Sequence, residues 1–189
     1  MDVILGLDVS TAVVGWALLP AGCPNLTYPL ARGHWDIRKV KGLWSKLDIV
    51  RSQLRSLSFT LSGKGDVVVG LYVEEPLKKF RRGGSSANTM SLLARMNAVT
   101  SFLAREEFNV EPLYVDATDA RRAIGVKLLS RKKSGGVGQK EQTWTFLCSN
   151  VFANEVWPLK RSGAPKDTCL DECDAYVITM AGILGLGEP

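Results

Sequence analysis

The chain has 189 residues, 46% apolar and 23% charged, with a formal net charge of +5 and a pI of about 9.1; this suits one folded domain spanning 1–189 and excludes a disordered or collagen-like chain. No apolar run approaches the ~20 residues of a membrane span, and the start, Met1-Asp2-Val3-Ile4-Leu5-Gly6, has neither the basic region nor the cleavage site of a signal peptide. Cys23, Cys148, Cys169 and Cys173 form no two CxxC pairs, so zinc is not expected, and reduced thiols in the cytoplasm, a host's if the protein is viral, are.

Residues 2–9 read as a fully buried strand, Val13 to Leu19 as a second and Tyr28 to Ile37 as a third. From Leu43 the apolar period changes. Leu43, Leu47, Val50, Leu54, Leu57 and Leu61 are spaced four, three, four, three, four, which predicts an amphipathic helix ended by Ser62-Gly63-Lys64-Gly65. Asp66 to Val73 is short, rich in β-branched residues and bounded by Gly65 and Pro76, and predicts a strand.

Residues 76–85 form a basic, glycine-containing loop. A helix follows from about Ser86 to Glu106, capped by Ser85 or Ser86, with a Leu92, Met96, Val99, Leu103 stripe. Glu111 to Asp116 predicts a strand, Thr118 to Ile124 a short helix, and residues 127–139 a glycine-rich mobile loop. The run Trp144, Leu147, Cys148, Val151 marks another helix, and Leu170 to Leu186 the last. The order β-β-β-α-β-α-β-α-α-α predicts an α/β fold with a mixed five-stranded sheet flanked by helices.

Four acids stand out on these elements. Asp8 closes the apolar run Ile4-Leu5-Gly6-Leu7, and Glu74 closes Val67-Val68-Val69-Gly70-Leu71-Tyr72-Val73. Asp171 and Asp174, three apart, share one face of the last helix. Singly, an acid at a strand end is most often solvated. Jointly they are harder to dismiss, because buried carboxylates need partners or a metal. If the first and fourth strands are neighbours, all four acids meet. Glu172 then points about 100° away around the helix, and Glu75 falls on the opposite face of its strand. Hard oxygen ligands select Mg2+, with Mn2+ able to substitute. Two such ions can activate water and stabilise the departing oxygen at a phosphodiester. Basic residues flank these positions: Lys78, Lys79, Arg81 and Arg82 after Glu74, and Arg131, Lys132, Lys133 and Lys140 around the glycine-rich stretch. Their placement predicts contact with nucleic-acid phosphates.

Asp8 in Leu5-Gly6-Leu7-Asp8-Val9-Ser10, Glu74 in Tyr72-Val73-Glu74 and Asp171-x-x-Asp174-Ala175 resemble the RuvC-type Holliday-junction resolvases of the RNase H-like superfamily. Phage and viral members are most similar, through Glu74-Glu75-Pro76-Leu77-Lys78-Lys79-Phe80 and the stretch from Ser85-Ser86-Ala87-Asn88-Thr89 to Leu93-Ala94-Arg95-Met96-Asn97. The resemblance spans nearly the whole chain. It implies an RNase H-like fold and a homodimer that binds four-way or branched DNA and nicks two strands symmetrically. It also implies that Asp8, Glu74, Asp171 and Asp174 hold the metal, and that Lys140, opening a helix after the loop, assists catalysis. Where bacterial members carry an aromatic residue at the junction centre, this chain has Leu77, and Phe80 is the nearby aromatic that could substitute.

Three other functions fit parts of the pattern. Asp8-Val9-Ser10-Thr11 followed by Gly15 resembles the phosphate-binding hairpin of actin-like and sugar kinases, although those need two such domains and a glycine after the Asp. A non-catalytic nucleic-acid-binding module would leave four filled ligand positions without a purpose. An RNase H-like nuclease acting on RNA–DNA hybrids or RNA would share the same metal site.

Overall fold

The computed structural model describes residues 1–23, 26–76 and 87–187. Five strands, β1 (Asp2–Val9), β2 (Val13–Pro20), β3 (Ala31–Asp36), β4 (Val67–Glu74) and β5 (Pro112–Val115), form one sheet in the order β3-β2-β1-β4-β5. The first three pair antiparallel as a meander, whereas β4 runs parallel to β1 and β5 parallel to β4. The sheet is therefore mixed and five-stranded, as expected. Pro112, which cannot donate to a ladder, opens the edge strand β5, where that loss is tolerated.

One face is covered by α1 (Leu43–Lys64) and α2 (Ala87–Phe108), the other by α3 (Ala117–Ala123), α4 (Gln139–Asn150) and α5 (Asp167–Ile183). In α1, Leu47, Val50, Leu54 and Leu61 from the expected stripe are buried. The helix stops where Gly65, at φ 72°, turns left-handed and donates its N–H to Leu61 O and Ser62 O, a conformation that favours glycine. In α2, Met96 and Leu103 lie in the core and Val99 packs against it, while Leu92 stays exposed. The stripe is thus largely used inside the molecule. Its capping serines, Ser85 and Ser86, lie outside the described residues.

The element that organises the molecule is α5, with Cys169, Leu170, Cys173, Ala175, Tyr176, Val177, Ile178, Met180 and Ala181 buried. It can lie this close to the sheet because two strand positions lack a Cβ. A Cβ on Gly6 would stand 2.0 Å from Thr179 Oγ1 and 2.8 Å from Ala175 O, and one on Gly15 would stand 2.3 Å from Asp171 O.

Candidate active site

The pairing brings the first two acids together. Leu7 is the partner of Val73 across the parallel β1–β4 ladder, so Asp8 and Glu74 leave the sheet side by side at the C-terminal ends of two central strands. On the other side of β1, Asp8 pairs with Gly15, the glycine against which α5 rests. The docked helix then delivers Asp171 and Asp174, one turn apart, to the same strand ends. Asp8 and Asp174 are buried, and Asp174 is only 2% exposed.

A cation sits among them. Lys140, in the first turn of α4, places Nζ 3.1 Å from Asp8 Oδ2, 2.8 Å from Asp171 Oδ1 and 2.9 Å from Asp174 Oδ2. Burial opposes its charge, but Asp8, Asp174 and Asp171 outweigh that and hold its pKa above the ordinary lysine value. Burial also raises the Asp8 carboxyl, with Lys140 pulling the other way. Glu74 is pushed furthest up, first by burial and then by the Asp8 charge. A side-chain hydrogen bond between the two draws Asp8 down and adds to the rise at Glu74.

The donor chemistry suits a hard divalent cation. All four groups are carboxylic, and Asp174 Oδ2 is buried without a hydrogen bond; its approach to the ammonium is ionic rather than a directed hydrogen bond. Among the described residues, no group of three or more His, Cys, Asp or Glu side chains is arranged to hold a metal ion as it stands. The Lys140 ammonium takes the place between the acids, as a stand-in for one.

No family model and no curated protein matches the chain, but solved structures do. A RuvC from Thermus thermophilus, solved in complex with a Holliday junction substrate, superposes with a TM-score of 0.65 at 12% identity, covering 99% of both chains. A second Thermus thermophilus RuvC structure gives 0.58 at 16% identity, again covering 99% of both. The fold is that of RuvC.

On this RuvC fold the structure brings together all five residues expected to carry the chemistry, and adds one the sequence reading missed. Arg121, on α3, donates through Nη2 to Asp174 Oδ1 at 2.7 Å, and its side chain is only 7% exposed. Burial opposes its charge, but Asp174 more than compensates. The two Asp174 oxygens therefore have different partners: Oδ1 is clamped by Arg121, and Oδ2 faces Lys140. The available signal was the position of Arg121 beside the buried Ala120 and Ile124, where an unpaired cation would be too costly. Asn97, also buried, donates to Glu74 O at 2.8 Å and fixes the end of β4.

Glu172 points away, as expected, and binds His34 and Arg32. Arg131, Lys132 and Lys133 are exposed on consecutive turns. These turns have their own hydrogen bonds, including Lys133 N–H to Ser130 O and Gly136 N–H to Arg131 O. Gln142 of α4 pins the segment by accepting from Leu129 N–H and donating to Leu129 O and Val137 O. The segment expected as a mobile loop is thus built onto α4. Leu77, Lys78, Lys79, Phe80, Arg81 and Arg82 lie outside the described residues.

Proposed function

We propose that the protein is a metal-dependent, structure-selective endodeoxyribonuclease that resolves four-way or branched DNA by paired symmetric nicks, working as a homodimer. The observation that carries this reading is the meeting of Asp8, Glu74, Asp171 and Asp174 around Lys140 at the strand ends of a RuvC fold. Asp8, Glu74, Asp171 and Asp174 would hold Mg2+, two ions per site, with Mn2+ able to substitute. Bound there, the metal supplies activated water and charge stabilisation at the phosphodiester. Arg121 fixes one Asp174 oxygen and leaves the other facing the reaction centre. Lys140, on a flexible stem at the open side, stabilises negative charge that develops on the phosphate. Arg131, Lys132 and Lys133, with Lys78, Lys79, Arg81 and Arg82, contact the DNA backbone. Leu77 or Phe80 takes the junction centre. Two-fold pairing follows from the symmetric cut, since two sites related by one axis are needed.

The deciding experiment incubates the purified protein with labelled four-way junction, fork, duplex and RNA–DNA hybrid, with Mg2+ or with EDTA. Paired nicks in the junction that require Mg2+ are expected. Cleavage of the hybrid with an intact junction would instead assign the site to RNA.

A further inference from the structure

We propose that divalent metal enters this centre by exchange with the Lys140 ammonium, which serves as a tethered cation in the metal-free protein and is released from the acids when metal binds. The inference rests on the metal-dependent reading above and concerns how that site is filled.

The ammonium contacts Asp8 Oδ2, Asp171 Oδ1 and Asp174 Oδ2 at 2.8–3.1 Å. Those oxygens cannot at once hold an ion that demands near-ideal geometry at ~2.0–2.1 Å. An ion bound by these three oxygens would stand where Nζ now lies, and two cations cannot fill one place, so one must leave. The structure also determines which one can. The Lys140 side chain is 44% exposed, against 7% for Arg121, and its four-carbon stem has freely rotating torsions. Gln142 ties the preceding segment to α4, so release is a swing of the side chain rather than an opening of the helix. Arg121 meanwhile stays on Asp174 Oδ1 and keeps Oδ2, which has no hydrogen bond, turned to the incoming ion. The exchange couples two events: metal arrival frees a positive charge at the mouth of the site, where a phosphate would lie.

The test needs no DNA. The wild type and Lys140→Met are titrated with Mg2+ and Mn2+ by calorimetry and melted with and without metal. In parallel, acylation of wild-type Lys140 is quantified by mass spectrometry, with Lys160, paired to Asp167 at 2.7 Å, as internal reference. Lys140→Met should bind metal about tenfold more tightly or better, the scale of one lost competing contact. Without metal it should melt below the wild type, and it should gain more from metal. Lys140 acylation should rise several-fold with Mg2+ while Lys160 stays constant. Equal metal affinity in both proteins, or metal-insensitive Lys140 acylation in a wild type that binds metal, overturns the exchange and leaves the metal-dependent reading standing. Absence of binding to either protein overturns both. If Lys140→Met does not fold, the wild-type acylation decides alone.

Discussion

The carbonyl oxygen of Asp171 lies 2.3 Å from where a Cβ on Gly15 would stand. One missing methyl group therefore sets how closely α5 approaches β2, and with it the position of two of the four acids. Gly15→Ala should push the helix outward, costing about 1–3 kcal/mol as an overpacked contact does, and should impair cleavage. Gly63→Ala is the control: its Cβ would meet nothing within 4 Å, and inside α1 it should stabilise by about 0.5–1 kcal/mol. Urea denaturation of the two variants checks both signs; equal stability would mean that α5 slides without consequence.

Asp8→Asn, Glu74→Gln and Asp174→Asn should each abolish nicking while retaining, or improving, junction binding, because each removes a potential ligand and a negative charge facing phosphate. Gel-shift and cleavage assays on one preparation separate the two effects. Normal cleavage by Asp174→Asn would remove the late acid from the catalytic set.

Arg121→Met leaves the buried Asp174 Oδ1 without its partner, with only Lys140 remaining on the carboxylate at Oδ2. Breaking one side of a buried ion pair costs about 3–5 kcal/mol, and Asp174→Asn in the same chain should recover much of it. A double-mutant cycle by chemical denaturation measures the coupling, and strict additivity would mean that the 2.7 Å contact contributes nothing.

Arg131, Lys132 and Lys133 are exposed, so their alanine variants should fold normally. Junction affinity should fall, and the log–log salt slope should flatten by roughly one per lost phosphate contact. An unchanged slope would place this turn away from the DNA.

Tyr176 is buried and donates its hydroxyl to Thr27 O at 2.9 Å; burial drives its pKa well above 10.0. The folded state therefore keeps a proton that the unfolded chain loses, and stability must fall as pH rises above about 10. Tyr176→Phe should be less stable at neutral pH by about 1 kcal/mol, for the lost hydrogen bond, and less sensitive to alkali. Melting curves from pH 8 to 11 check both, and parallel losses in the two proteins would refute the linkage.

Much of this architecture is legible in the sequence because its signals are local. The apolar runs ending at Asp8 and Glu74 specify buried strands, and the Leu47-to-Leu61 stripe with Gly65 specifies α1 and its end. Where the reading slipped, tertiary context decided. The third strand was expected from Tyr28 but begins at Ala31, because Tyr28 instead packs edge-on against Phe152, with ring centroids 5.7 Å apart. The last helix begins at Asp167, before Leu170, after Lys166, which makes no side-chain cap. Arg121 was passed over because a charge on a short helix reads as solvated until its acid partner, far along the chain, is seen. The same distance explains why the Lys140 contacts could be expected only by resemblance: periodicity says nothing about which loop folds over which strand end.

Asp8 ends the first strand and Asp174 lies in the last helix, and they meet only after β4 has zipped beside β1 and α5 has settled on its two glycines. Closures between distant parts of a chain are the slow ones. A nascent chain therefore carries these carboxylates apart and hydrated, so the centre comes into being only with the last docking step. During refolding, high-affinity metal uptake should rise in step with amide protection in α5, and its appearance before that protection would show a centre formed without the helix.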